Sequence, residues 1–245
     1  MSRGVSSLQL IWLRSDLRVH DNTALSAAAV RGPCVAVYLL SPAQWLAHDD
    51  APCKVDFWLR NLRDLSQTLA RLNIPLLIRE ASHWDDAPRV LAGLCDELGV
   101  EAVHANDEYG VHETRRDAAV RQALETAGIA WHSHLDQLLF KPGSVLTKTE
   151  SYFKVFSQFR KVCYERLHRS MPALVKAPGK QAKLAIDSDP IPDSVKGFAT
   201  PSQTLRDLWP AGEQEEEVEH QEGGGHEHAM ADALARASQR WPMLI

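Results

Sequence analysis

Short apolar runs alternate with stretches of helical period over the first 134 residues, and that alternation leaves few folds open. "LQLIWL" (Leu8–Leu13), "CVAVYLL" (Cys34–Leu40), residues 75–80 (PLLIRE), 101–106 (EAVHAN) and 129–134 (IAWHSH) read as five strands. Between them, residues 54–72 place Val55, Trp58, Leu59, Leu62, Leu65, Leu69 and Leu72 at helical spacing. Helices are likewise predicted from an Asp21 N-cap to about Val30, over residues 85–98 with Gly99 closing the last turn, and over 113–127 with Gly128 as the stop. Nearly continuous apolar strands separated by amphipathic helices specify a parallel sheet covered on both faces. Right-handed crossovers make such a sheet doubly wound.

In a doubly wound sheet, ligands sit beyond the carboxyl ends of the strands, at the point where strand order reverses. Two charged loops lie at such ends: "RSDLRVHDN" after strand one and "NDEYGVHE" after strand four. If strands one and four are neighbours, both loops face one crevice. Arg14, Asp16 and Arg18 then either pair with local groups and cap helices, or touch a ligand; spacing leaves both open.

The pattern changes after strand five. Residues 150–169 read as a helix with a broad aromatic face of Tyr152, Phe153, Val155, Phe156, Phe159 and Val162, which either packs on the domain or docks a partner. From 173 to 212 the chain has little periodicity and reads as a linker, its Lys176, Lys180 and Lys183 a solvated face. Residues 213–245 form an acidic, low-complexity tail of disordered composition, with a short helix predicted at 229–241. His220, His226 and His228 in that tail have no spacing that builds a metal site.

Beyond Pro210 there are eight acids and two bases; the rest of the chain is close to neutral, although the total is -5. A nucleic-acid binder usually carries a basic excess, so any DNA contact is expected from a local patch or from a part outside this sequence. No run approaches the roughly 20 apolar residues of a membrane span, and no signal peptide is evident, so a cytoplasmic protein is expected. Cys34, Cys53, Cys95 and Cys163 are widely spaced and read as reduced thiols. No G-x-G-x-x-G follows strand one, and there is no Walker loop, G-x-S-x-G elbow or H-E-x-x-H. Dinucleotide dehydrogenases, P-loop NTPases and α/β-hydrolases lose their main support.

"WLRSDLRVHDNTAL" resembles the opening of the DNA photolyase/cryptochrome family, whose pattern is W-[FL]-R-x-D-L-R-x-x-D-N-x-A-L. "VAVYLLSPAQW" is similar to that family's second strand and its S/T-P-x-Q-W turn, and "IPLLIRE" to its third strand. "ANDEYGVHETRRD" resembles the loop after strand four, and "SYFKVFSQFRKVCYERL" the Y-K-V-F-T-P-F helix. The resemblance covers roughly residues 8–178.

It implies an N-terminal antenna domain over residues 1–172, an α/β, doubly wound, five-stranded parallel Rossmann-like sheet with helices on both faces, followed by a C-terminal linker. It implies 5,10-methenyltetrahydrofolate as antenna chromophore. The family's folate-binding Asn-Glu pair falls on His112-Glu113, and a further pocket histidine on His48. Glu113 either accepts hydrogen bonds from pterin N–H groups or serves its own helix N-terminus; His112 departs from the family's asparagine. Catalysis in the family belongs to a helical C-terminal domain that binds FAD and flips a pyrimidine dimer from the duplex; its T-S-x-L-S motif is not in this sequence. The expectation is a truncated photolyase, with no catalytic or metal-ligating residue, no repair activity alone, and DNA contact only through the C-terminal domain. Two rivals stand beside it: a stand-alone folate- or nucleotide-binding module, and an interaction remnant that self-associates through the aromatic helix.

Overall fold

The computed structural model describes residues 7–199. Five parallel strands, β1 (Leu8–Leu13), β2 (Cys34–Leu40), β3 (Leu76–Glu80), β4 (Val100–Asn106) and β5 (Ala130–His134), form one sheet in the order β3-β2-β1-β4-β5. The chain builds outward from β1 to β3, then crosses back to place β4 on the other side of β1. The expected doubly wound sheet is therefore present, with its switch point between β1 and β4.

Side-chain alternation along each strand feeds two cores. Ile11, Leu13, Ala36 and Tyr38 face α1 (Thr23–Arg31) and α3 (Pro52–Arg71), where Leu25, Val55, Leu59, Leu62 and Leu69 cover them. Leu10, Trp12, Val35, Val37 and Val103 face the opposite layer, α4 (Ala87–Leu98) and α5 (Val111–Thr126), through Leu91, Leu94, Val120 and Leu124. Gly99 ends α4 in the left-handed region, as its position in the sequence predicts.

Local chemistry shifts several boundaries. The N-cap of α1 is Asn22, whose side chain accepts the Leu25 N–H, rather than Asp21. Asp21 has positive φ and ties the chain elsewhere: its N–H donates to the Val175 carbonyl and its carboxylate accepts the Val175 N–H. The predicted S-P-x-Q-W turn is a short helix, α2 (Pro42–Ala47), opened by Pro42 at its first position. The helix predicted over 150–169 begins only at Phe156 and forms α6 (Phe156–Arg169), so Tyr152, Phe153 and Val155 precede it rather than share its face. Cys34 and Cys95 are buried thiols pushed up to about 12 by desolvation, while Cys53 and Cys163 are half-buried; none is paired.

Residues 173–199 form neither helix nor strand, yet they are strapped onto the domain. Leu184 and Ile186 pack on the α4/α5 core, and Ala177, Ile191, Val195 and Phe198 on the α1/α3 core. The described residues belong to one compact unit. The acidic tail and its predicted helix lie outside the described residues. No helix among the described residues is long and apolar enough to cross a membrane.

Candidate functional site

The loops after β1 and β4 meet at the switch point, and their charges are spent on each other. The Arg14 guanidinium donates to Asp117 Oδ2 at 2.8 Å and to the Asn106 carbonyl, while its own backbone N–H donates to Asp16 Oδ1 at 2.9 Å. Arg116 donates to Glu108 Oε2 and Asp117 Oδ1, both at 2.7 Å. Buried Asn106 donates to Asp16 Oδ2 at 2.6 Å and Asn22 Oδ1 at 3.0 Å, and accepts the Ala24 N–H. Arg18 pairs with fully buried Asp136, which also accepts from the backbone N–H and hydroxyl of Thr23. The structure decides the alternative that spacing left open: these charges organise the loops.

The electrostatics agree. Burial alone would raise the Glu108 carboxyl, but Arg14, Arg116 and the Ser15 hydroxyl outweigh it and hold the group below its ordinary range. Arg116 is itself depressed by burial and raised more strongly by Asp117 and Glu108. Both guanidinium groups lie against the Trp12 ring, at 4.6 and 4.8 Å from its centroid, and Arg116 is also 4.8 Å from that of Trp84. Such contacts are strongest where water is excluded.

On the outer side of this ionic floor, three loops bring aromatic groups together. His48 caps the C-terminus of α2, His112 is the second residue of α5, and Trp84 opens a 3-10 turn, Trp84–Asp86. The ring centroids of His48 and His112 are 5.5 Å apart, and those of His48 and Trp84 5.2 Å apart in edge-to-face geometry. Two of the three expected site residues, separated by 64 positions, are thus neighbours. Glu113 is different. Its carboxylate folds back over Gly110, the N-cap of its own helix, so closely that a Cβ at 110 would lie 1.9 Å from Oε2. In this arrangement the Glu113 carboxylate occupies the space a side chain at 110 would take, and Glu113 makes no hydrogen bond to either imidazole.

Sequence reasoning missed Trp84 and Arg116, and gave Gln44 no role beyond its place in the S-P-x-Q-W turn. Trp84 follows the third strand in "SHWDD", at the same end of the sheet as the other loops, and that placement was the available signal. Among the described residues no group of three His, Cys, Asp or Glu side chains is disposed to hold a metal ion. The arrangement offers aromatic edges and imidazole nitrogens, with one carboxylate nearby.

The fold is a doubly wound, Rossmann-like α/β domain without a dinucleotide fingerprint. Residues 9–178 match the family model described as DNA photolyase, and the chain belongs to that family. It is 39% identical over 155 residues to the deoxyribodipyrimidine photo-lyase of Vibrio cholerae, covering 63% of this chain and 33% of the relative. With the Escherichia coli enzyme the identity is 33% over 183 residues, 74% of this chain and 38% of the relative. The chain therefore spans about a third to two fifths of the length of these curated relatives. Among solved structures it resembles the Agrobacterium tumefaciens class III photolyase (TM-score 0.58, 26% identity, 78% of this chain and 38% of that one). It also shares its fold with a Synechocystis cryptochrome (TM-score 0.62, 20% identity, 77% and 40%).

Proposed function

We propose that this chain is the light-harvesting N-terminal part of a deoxyribodipyrimidine photolyase, and that it holds an antenna chromophore against His48, His112 and Glu113. The observation that carries the reading is the meeting of His48, His112 and Trp84, from three separate loops, at the carboxyl end of a doubly wound sheet. The residues present suit a flat heterocycle such as 5,10-methenyltetrahydrofolate. The rings offer edges and faces, the imidazoles offer hydrogen bonds, and Glu113 brings an acceptor for N–H groups beside His112. When bound, the chromophore would supply light absorption; the chain's own residues would orient it and exclude water. FAD, DNA contact and dimer splitting belong, on this reading, to the portion of the relatives that the chain does not match.

The test is a titration of the purified chain with methenyltetrahydrofolate, read by absorbance and fluorescence. Saturable binding is expected, weakened about tenfold or more by His48→Ala, by loss of one hydrogen-bonding and packing partner. Unchanged affinity in both His48→Ala and Glu113→Ala would remove the site, and no saturation at all would remove the antenna assignment. Supplied with FAD and light, the chain alone is expected to leave thymine dimers intact.

A second reading, an interaction module, has its own observation. No residue of α6 is buried, and Tyr152 and Phe156 are about three-quarters exposed (74% and 73%). Exposed aromatic groups clustered in this way commonly mark a contact surface. Self-association through α6 would show as a concentration-dependent sedimentation coefficient that Phe156→Ser abolishes; a monomer at all concentrations would count against it.

A further inference from the structure

Gln44 is the glutamine of the S-P-x-Q-W turn, a position to which the family resemblance gives no part in ligand binding. Gln44 is tied at two points to the loop after β3: its backbone N–H donates to the Ser82 carbonyl at 2.9 Å, and its side-chain Oε1 accepts the Trp84 backbone N–H at 3.3 Å. A backbone N–H can only donate, so the amide orientation of Gln44 is settled: Oε1 faces Trp84 and the NH2 group faces the other way. That NH2 group lies 2.9 Å from His48 Nε2. An amide NH2 has no acceptor, so His48 Nε2 must carry the lone pair. The ring proton then resides on Nδ1, which makes no hydrogen bond among the described residues.

We propose that Gln44 is a positioning residue that holds His48 as the neutral Nδ1–H tautomer, so that His48 presents a hydrogen-bond donor to the ligand. The site would accordingly take a heterocycle that offers a carbonyl oxygen or ring nitrogen to His48. Trp84 serves twice, its backbone fixing Gln44 and its indole edge limiting rotation of the His48 ring. The tautomer follows from the geometry alone; its value for binding rests on the antenna reading above.

The experiment is a long-range proton–nitrogen spectrum of the full chain, labelled on histidine and recorded at pH 8, with the His48 signals assigned by their loss in His48→Gln. The wild type is expected to show a protonated Nδ1 and a bare Nε2. Gln44→Glu keeps the size and an acceptor for Trp84 but turns an acceptor toward His48, and is expected to invert the tautomer. Methenyltetrahydrofolate affinity should then fall about tenfold, one misdirected hydrogen bond. A wild-type His48 protonated on Nε2 would overturn the proposal whatever the chromophore does. Inversion in Gln44→Glu with unchanged folate affinity would overturn the positioning role. The expected tautomers with no folate binding by the wild type would uphold the Gln44–His48 geometry and remove the antenna reading instead.

Discussion

Asn106 shows how much a single side chain can carry at the switch point. It is 1% exposed, and its amide satisfies Asp16, Asn22 and the first turn of α1 at once, while its carbonyl takes a hydrogen bond from Arg14. Replacing it with alanine leaves the buried Ala24 N–H without its partner and takes one of two donors from Asp16 Oδ2 and one of two from Asn22 Oδ1. The bare N–H costs about 1–3 kcal/mol where water cannot enter, and each lost hydrogen bond about 0.5–1.5 kcal/mol. Asn106→Ala is therefore expected to lower unfolding stability by roughly 2–4 kcal/mol in urea; a loss below about 1 kcal/mol would mean that water replaces the amide. Gly110→Ala should be mild by comparison. The atom in its way is the far end of the flexible Glu113 side chain, which can swing aside. At this scale the sequence was only half legible. The residue types Arg, Asp and Asn announced a polar cluster, but partners lying more than 80 positions apart cannot be paired from one sequence.

The elements were legible because their periods are physical. All five strands and four of the helices between them appear where apolar spacing puts them, with boundary shifts set by caps and prolines; the short α2 has no such signal. What the period conceals is the polar content of a buried face. His104 on β4 is fully buried, between His132 and His134 of β5, with ring centroids 4.8 and 5.3 Å away. Gln9 donates its NH2 to Ser7, so its Oε1 accepts from His104 Nε2 at 3.0 Å; His104 Nδ1 then accepts from His134 Nε2 at 3.1 Å. Drawn this way, the chain has His104 neutral. Burial, then the nearby His134, His132 and Arg31, push its pKa down to about 3 from 6.5. The sign follows. Between these two values the unfolded chain binds a proton that the folded chain refuses, so stability is complete above pH 6.5 and declines as the pH falls toward 3. One such group contributes up to about 1.4 kcal/mol per pH unit. Burial lowers His132 and His134 as well, in the same sense. Urea midpoints taken from pH 7.5 to pH 5 should fall steeply for the wild type and less for His104→Gln; parallel slopes would place the proton uptake elsewhere.

At the scale of the molecule, the least periodic stretch is the one that closes the fold. Residues 173–199 leave α1 through the Val175–Asp21 and Lys176–Ser26 hydrogen bonds and cross the amino ends of the strands at Gln181. There the Gln181 side chain accepts from Cys34 N–H at 2.7 Å and donates to the carbonyls of Cys34 and Asn73. The segment then runs along β3, an edge of the sheet. Ser188 accepts the Leu76 N–H, Asp189 accepts the Ile78 N–H and pairs with Arg79, and the Asp189 N–H donates to the Leu76 carbonyl. An uncovered edge of this kind is a template for pairing with another chain. The strap ends with Phe198 against Trp45, ring centroids 6.1 Å apart, on the helix that carries Gln44 and His48. No hydrophobic period betrays such a segment, because its apolar anchors are irregularly spaced and serine, aspartate and glutamine side chains and backbone groups share the joining. The boundary drawn at residue 172 from composition can therefore be tested directly. Chains ending at 172 and at 199 are compared by urea unfolding and by light scattering over time. The longer chain should unfold in one cooperative step and stay dispersed. The shorter one, with Leu76 and Ile78 open at the edge and Trp45 uncovered, should lose several kcal/mol, given about 1.5–3 kcal/mol for each large apolar side chain removed from the core, and should associate. Equal stability and equal dispersion would make residues 173–199 a linker that merely rests on the domain.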